Sequence, residues 1–450
     1  MQSDTICALA TTSGGALGLI RVSGQDAITV TEKIFHAKSN ISLSQRNTKS
    51  LIFGQIRSSS NEIIDEVLLS VFHAPHSYTG ENCVEISCHG SRYIIDRILE
   101  ELIYNGCRMA LPGEYTKRAF LNGKMDLSQA ESVADLIAAE NKASHDVAMA
   151  QMKGGISNEL AQMREQLIHI ASLLELELDF SEEDVEFANR AELQSLITSL
   201  DRQIMSLIVS FRKGKAIKDG VPVIIVGKTN VGKSTLLNRL LDDERAIVSD
   251  VHGTTRDLIE DTTTINGVSF RFIDTAGLRK TDDVVENIGI RRTYDRLSQA
   301  MLVLWVIDET PSRDEIDEMR KQCEGKSVIL VINKTDIKQV QNTTPFPTVS
   351  ISAQYDENLQ SLENEIFTTV IGETNTMTDV IVSNQRHYDI LLRAKESVEN
   401  INSAIHSNLP SELIAEDLKN TIHILAEITG GEITSTDVLE SIFSQFCIGK

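Results

Sequence analysis

Residues 227–234 read Gly-Lys-Thr-Asn-Val-Gly-Lys-Ser, a full match to the phosphate-loop spacing G-x-x-x-x-G-K-[ST]. Glycines in such a loop let backbone N–H groups turn inward around phosphate oxygens, and the helix that starts there adds positive potential. Lys233 reaches the β- and γ-phosphates and the Ser234 hydroxyl ligates Mg2+. Asn230, Val231, Gly232 and Thr235 complete the wrap around the nucleotide. The motif needs a strand before it and a helix after it. Val223 to Val226 is an apolar run of strand type, and Thr235-Leu236-Leu237-Asn238-Arg239-Leu240 is helix-like. A Gly-rich turn without a ligand is the bland alternative, and both flanks weigh against it.

Four further segments follow in order. Asp274-Thr275-Ala276-Gly277 comes after the hydrophobic run Phe270 to Ile273. Asp274 suits the acid that holds Mg2+ through water, and Gly277 brings a bare N–H to the γ-phosphate. Asn333-Lys334-Thr335-Asp336 comes after Val328 to Ile332. A carboxylate at Asp336 accepts from the amino and ring N–H groups of guanine, a donor pair that adenine lacks, so GTP is preferred over ATP. Ser352 and Ala353 follow Thr348 to Ile351 and close over the base. Gly253-Thr254-Thr255-Arg256-Asp257 lies between the first helix and the next strand, where Thr255 is placed to cap the metal. Each tetrapeptide alone is weak; five in this order, at strand ends, read as a guanine-nucleotide domain. From about residue 217 to 373 the chain resembles the Ras-like GTPase superfamily.

The remaining composition sets bounds. The chain has 450 residues, 41% hydrophobic and 24% charged, which predicts two to four globular domains. No apolar run reaches membrane-spanning length; Met301 to Ile307 fits a buried strand. Neither a secretory signal nor an organelle transit peptide is expected at Met1-Gln2-Ser3-Asp4. The six cysteines (Cys7, Cys83, Cys88, Cys107, Cys323, Cys447) are scattered as reduced thiols of a cytosol would be. A net charge of −22 argues against a general polyanion binder. Arg202, Arg212, Lys213, Lys215 and Lys218 do cluster before the nucleotide domain, where a solvated helix end explains them equally well. His73, His76, Cys83, Cys88 and His89 invite a zinc reading, but alternating strands at Val67 to Phe72 and Val84 to Ser87 split them between faces.

Residues 1–119 mix strands (Ala16 to Val22, Leu51 to Ile56) with a helix at Ile94 to Tyr104. From 120 onward helical periodicity takes over: Ile156, Leu160, Met163, Leu167, Ile170 and Leu174, then Leu193, Leu196, Leu200, Ile204, Leu207 and Phe211. It stops at Gly214 and Gly220 and resumes after 380 with Leu391, Leu392 and Ala394, then Leu413, Leu418, Ile422, Leu425 and Ile428. One helical domain interrupted by the nucleotide domain is the economical arrangement. The acidic run Ser181-Glu182-Glu183-Asp184 reads as a helix-joining loop.

Beyond the nucleotide motifs, Leu19-Ile20-Arg21-Val22-Ser23-Gly24, Ser77-Tyr78-Thr79-Gly80-Glu81, Pro112-Gly113-Glu114, Ala119 to Leu127 and the closing Cys447-Ile448-Gly449-Lys450 resemble the MnmE/TrmE family of tRNA-modification GTPases over essentially the full length. The resemblance implies a multidomain α/β protein. It has an N-terminal α+β folate-binding-like domain (1–119), an all-α helical domain in two parts (120–216 and 374–450) and an inserted Ras-like P-loop GTPase domain (217–373). It implies GTP hydrolysis in formation of a carboxymethylaminomethyl-type group at C5 of the tRNA wobble uridine, by a cytoplasmic homodimer. The further partner is FAD-dependent MnmG in a heterotetramer, and the carbon source is a tetrahydrofolate derivative (the 5,10-methylene or 5-formyl form). By motif position Arg21, Glu81, Lys124 and Lys450 match the folate contacts, though Arg21 and Glu81 suit salt bridges equally. Asn230, with Ser249, Asp250, Val251, His252, Gly253 and Thr254, matches a loop that binds K+, whose ligands would be Asn230, Ser249, Val251 and Thr254. Glu286 matches the water-orienting acid. No glutamine follows Gly277, where Leu278 stands, so the Ras-type catalytic residue is absent; a bystander acid on a switch is the other reading of Glu286. Cys447 reads either as a nucleophile toward the uridine or as packing. The alternative to the whole assignment is a ribosome-assembly GTPase of the Era or Der type; those carry a basic RNA-binding module or a second GTPase domain, and this chain has one phosphate loop and an acidic balance.

Overall fold

The structure is a computed structural model that describes residues 4–12, 14–37, 42–45, 47–48, 50–179, 190–241, 261–273, 297, 299–340, 344–372, 380–407, 409–431, 436–444, 446–447 and 449. It divides into two compact units. The first comprises Met1–Ile137, Gln151–Arg164 and Ile422–Lys450; the second comprises Ala138–Ala150 and Glu165–Thr421.

The first unit is built on a seven-stranded sheet. Its strands are β1 (Ile6–Leu9), β2 (Leu17–Ser23), β3 (Phe35–Ala37), β4 (Ser50–Arg57), β5 (Ile63–Phe72), β6 (Cys83–His89) and β7 (Arg108–Met109), in the order β3-β4-β5-β6-β2-β1-β7. The pairs are antiparallel except β1–β7. The strands alternate, as a sheet with one covered face must. In β5 the inward residues Asp65, Val67, Leu69 and Val71 are buried while Glu66 and Leu68 are exposed. Helices α1 (Ala27–Ile34) and α2 (Arg92–Tyr104) cover that face, adding Ile28, Val30, Ile34, Ile95, Ile98 and Leu102 to the core. On the opposite face Leu51, Phe53 and Leu68 are exposed. Helices α3 (Glu114–Leu121) and α4 (Leu127–Ala138) follow. The C-terminal segment returns to this unit, where Leu439, Phe443 and Phe446 pack with Leu127, Ala130 and Val133. Cys83 and Cys88 are buried, and burial pushes their thiols up to about 12 and about 11. His89 pairs with Asp65 at 2.7 Å.

The second unit holds a six-stranded sheet of β8 (Val221–Val226), β9 (Asp261–Ile265), β10 (Val268–Phe272), β11 (Leu302–Ile307), β12 (Ser327–Ile332) and β13 (Thr348–Ser350), in the order β13-β12-β11-β8-β10-β9. All neighbours are parallel except β9–β10. Parallel strands are covered on both faces, and all six residues of β11 are buried. Helices α5 (Lys142–Met152), α6 (Gly155–Asp179) and α7 (Arg190–Asp219) precede the sheet in the chain. Next come α8 (Lys233–Leu241), α9 (Arg313–Gln322) and α10 (Leu359–Ile371), and then α11 (Gln385–His406) and α12 (Ser411–Thr429); the last helix, α13 (Thr436–Phe443), belongs to the first unit. Helices α7 and α11 flank the sheet in sequence yet pack together. The Phe211 and Tyr388 rings stack at 4.2 Å between centroids, and Gln194 donates to Asn402.

One sequence expectation is corrected here. Helix α7 does not stop at Gly214 but runs on to Asp219. Gly214 is an approach point, not a breaker: a Cβ there would lie 2.1 Å from the Val382 carbonyl oxygen. Tertiary packing overrides the modest propensity cost of a mid-helix glycine. Ala216 and Ile217 at the end of α7 belong to the core of the six-stranded sheet. The acidic run 181–184 lies outside the described residues.

Candidate functional site

In the second unit the nucleotide motifs converge on one end of the sheet. The phosphate loop joins β8 to α8, and Asn230 turns it with φ +63°. Val231, within the loop, is buried. Lys233 Nζ donates to the carbonyls of Gly227 (2.8 Å) and Lys228 (2.6 Å), and burial lowers its pKa. Ser234 and Thr235 open the first turn of α8.

The base-reading motif follows β12 and is stitched to this loop. Asn333 Nδ2 donates to the Val231 carbonyl at 2.8 Å, and Asn333 Oδ1 accepts from the Ala353 N–H at 3.0 Å. One buried amide therefore ties the phosphate loop to the segment after β13. A Cβ at Gly232 would lie 2.3 Å from Asn333 Nδ2, so that glycine is required by the stitch as well as by its φ of +96°. Lys334, also at positive φ (+63°), donates to the Asn230 carbonyl at 2.5 Å and to Asp308 Oδ2 at 2.8 Å. Asp336 Oδ1 accepts from Ser352 Oγ at 2.7 Å. That hydroxyl orients the carboxylate, whose other lone pairs can take two guanine donors. Arg239 of α8 reaches the carbonyls of Ala353 and Gln354. Ser249, Asp250, Val251, His252, Gly253, Thr254, Thr255, Asp274, Thr275, Ala276, Gly277 and Glu286 lie outside the described residues.

In the first unit a second polar cluster forms around the residues singled out for folate. Arg21 pairs with Glu85 at 2.7 Å and lies 5.5 and 5.6 Å from the ring centroids of Tyr78 and Tyr115. Its Nη1 donates to the Gly449 carbonyl at 3.5 Å. Glu81 accepts from Ser23 Oγ at 2.8 Å and pairs with Arg118 at 3.1 Å. Lys124 Nζ donates to the Pro75 carbonyl at 3.0 Å. Cys447 is exposed, and its carbonyl accepts from the Gly113 N–H at 3.4 Å. Lys450 lies outside the described residues. The structure thus brings Arg21 to the C-terminal tail, while Glu81 joins a neighbouring network.

Sequence reasoning missed that network. Arg118 is held by Asp4 Oδ1 (2.9 Å), Glu114 Oε1 (2.9 Å) and Glu81, and Arg108 pairs with Asp4 (2.6 Å) and Glu114 (2.7 Å). One local signal was available: Glu114 and Arg118 stand four apart on α3, an ion-pair spacing. It also missed Asp308, although an acid directly after the apolar run that forms β11 stands at the same kind of strand end as Asp274 and Asn333.

A family model described as the MnmE helical domain matches residues 127–447, and one described as the N-terminus of the GTP-binding protein TrmE matches residues 5–124. The tRNA modification GTPase MnmE of Phocaeicola vulgatus is 47% identical over 497 residues, covering 100% of this chain and 99% of that protein. The protein of the same description from Bacteroides thetaiotaomicron is 49% identical over 467 residues, covering 100% of both. Among solved structures, the G domain of the T. maritima FeoB iron transporter is 25% identical and covers 33% of this chain and 98% of that one, with a TM-score of 0.25. With both family models matched in sequence order and relatives aligned end to end, the chain belongs to the MnmE family of tRNA-modification GTPases.

Proposed function

We propose that the chain hydrolyses GTP in a Mg2+- and K+-dependent manner. With an FAD-dependent MnmG partner, that hydrolysis drives formation of the carboxymethylaminomethyl-type group at C5 of the tRNA wobble uridine. The observation that carries the nucleotide reading is the Asp336–Ser352 hydrogen bond beside the Asn333 stitch. The acceptor for guanine is held by Ser352, next to Ala353, whose N–H bonds the same Asn333 amide that holds the phosphate loop. Ser234 opens α8 next to Lys233, where a hydroxyl suits Mg2+, with Thr255 and Asp274 as its partners in the motif. Asn230 offers an amide oxygen for K+, with Ser249, Val251 and Thr254 as the other ligands. A cation there supplies positive charge to the transferring phosphoryl group, and Glu286 orients the water.

The first unit supports a folate role through its chemistry. Tyr78 and Tyr115 give flat apolar surface beside Arg21. Glu81 keeps acceptor capacity beyond its bonds to Arg118 and Ser23, which suits the donor edge of a pterin. Lys124 and Lys450 offer ammonium groups for a glutamate tail. Tetrahydrofolate would supply the one-carbon unit, and Cys447 lies exposed on the tail that reaches Arg21. The apolar residues on the open sheet face, Leu51, Phe53 and Leu68, support a homodimer, and the domain boundaries 1–119, 120–216, 217–373 and 374–450 accompany this reading. Among the described residues no helix is long and apolar enough to cross a membrane, in keeping with a cytoplasmic enzyme.

The test is mass spectrometry of wobble nucleosides in tRNA from cells lacking the protein. The expected result is loss of the C5 substituent. An unchanged wobble uridine accompanied by a ribosome-assembly defect would favour the Era/Der-type alternative.

A further inference from the structure

Strand β11 ends at Ile307, and the next two residues are acids whose partners come from the nucleotide loops. Asp308 Oδ2 accepts from Lys334 Nζ at 2.8 Å, and the same ammonium donates to the Asn230 carbonyl at 2.5 Å. Glu309 Oε1 accepts from Lys228 Nζ at 3.1 Å, and Glu315 Oε1 lies 2.8 Å from that ammonium. Glu315 is itself fixed, because it closes a capping box with Ser312 at the start of α9. A short stretch, 308–315, therefore grips one lysine of the phosphate loop and one of the base-reading motif.

The backbone gives these contacts a purpose. Asn230 and Lys334 are both non-glycine residues at φ +63°. Such conformations persist where the surroundings over-determine them. The chain Asp308–Lys334–Asn230 carbonyl joins those two residues directly. A carboxylate is the group that holds a lysine ammonium against a carbonyl, because it supplies the charge that the carbonyl lacks. The lysine in turn holds the Asp308 carboxyl below its ordinary range.

We propose that Asp308 is a positioning residue for guanine-nucleotide binding: it holds Lys334 on the Asn230 carbonyl, so that the phosphate loop and the base-reading loop keep their binding geometry before a guanosine phosphate arrives. Glu309 and Glu315 act in the same sense, more weakly, through Lys228. The inference rests on the guanine-nucleotide reading given above. The difference in strength follows from solvent. The side chains of Lys334 and Asp308 are 33% and 18% exposed, against 59% and 62% for Lys228 and Glu309, and exposed pairs are screened.

The experiment measures dissociation of a fluorescent GDP analogue from the purified full-length chain, with thermal unfolding as the control for folding. Asp308→Ala is expected to release the analogue about tenfold faster, Asp308→Asn by an intermediate factor, and Lys228→Ala less than about twofold. On a Lys334→Met background Asp308→Ala is expected to add less than about twofold, because its partner is already gone. Wild-type release by a folded Asp308→Asn and Asp308→Ala pair overturns the proposal. So do fully additive effects of Asp308→Ala and Lys334→Met, which would show that Asp308 acts otherwise than through the lysine. A wild-type chain that does not bind the analogue overturns the guanine-nucleotide reading itself, and this inference with it.

Discussion

The two sheets place their polar groups in opposite ways. In the six-stranded sheet all neighbours but β9–β10 are parallel and the central strands are buried on both faces, as in β11, where all six residues are covered. Side chains in mid-strand are consumed by the core, so chemistry moves to the loops at the strand ends. In the seven-stranded sheet the strands are largely antiparallel and alternate, as in β5. Polar residues such as Arg21 and Glu85 project from mid-strand and meet across β2 and β6. The first arrangement writes its site into short contiguous motifs. The second assembles its site from residues far apart in the chain; Arg21 and Gly449 are separated by 428 positions. A parallel sheet therefore exposes its site in the sequence, and an antiparallel one hides it in the register.

The largest expected effect bears on the strand-end site. Asp336→Asn exchanges one acceptor for a donor, and about a thousandfold loss of GTP affinity is expected, with xanthosine triphosphate preferred instead. Equal GTP affinity in the variant would remove the base-reading role and with it the best example of a motif-written site. Glu286→Ala is expected to leave affinity nearly intact while turnover falls about a hundredfold. Na+ in place of K+ at equal ionic strength is expected to slow turnover comparably. Retained hydrolysis in either case breaks the corresponding assignment.

The register-built site calls for stability measurements. Arg118 is the buried hub of Asp4, Glu81 and Glu114. Arg118→Met is expected to cost the first unit about 3 kcal/mol, because it leaves carboxylates short of a cation. The one tryptophan, Trp305, lies in β11 of the other unit. Its fluorescence transition in urea is expected to stay put while the tyrosine signal of Tyr78 and Tyr115 shifts. A matching shift of both would show that the two sheets unfold as one and dissolve the contrast. The same network sets a pH dependence. Burial pushes the Glu114 carboxyl up, but Arg108, the Leu111 N–H and Arg118 outweigh it and hold the group below its ordinary 4.5. Asp4 is lowered chiefly by its hydrogen bond to Arg108. Groups depressed in the folded state contribute stability above their unfolded values. That contribution is lost as pH falls from about 4.5 through the folded values, and Arg118→Met is expected to flatten this acid-side slope in a urea titration.

The smallest effect on hydrolysis is expected from removal of residues 447–450. The GTPase rate should stay within about twofold, since the tail belongs to the first unit and the phosphate loop to the second. Wobble modification should be lost. Full modification by the truncated protein would remove the tail from the chemistry, and joint loss of both activities would break the division of labour between the two regions.

Legibility followed the same division. The strands that carry the phosphate loop and the base motif were readable to within two residues, because buried parallel strands are short apolar runs bounded by polar loops. Helix α7 was misread at Gly214, since a single residue cannot reveal that the Val382 carbonyl fills the space of its missing Cβ. The roles of Lys334 and Asn333 toward the phosphate loop and the segments after β11 and β13 were invisible, because their partners, Asn230, Asp308, Val231 and Ala353, are remote in sequence.

The amino-acid sequence by itself determined the nucleotide chemistry. The spacing from Gly227 to Ser234 leaves few backbone paths, and a carboxylate at Asp336 has the acceptor pattern guanine requires. Only the tertiary structure decided where the C-terminal tail goes. Hydrophobic packing of Leu439, Phe443 and Phe446 on α4 returns the tail to its own chain's N-terminal sheet, and the Gly113–Cys447 and Arg21–Gly449 hydrogen bonds hold it there. No local rule specifies such a return: apolar burial is non-directional, and which apolar faces meet depends on the whole path of the chain between them.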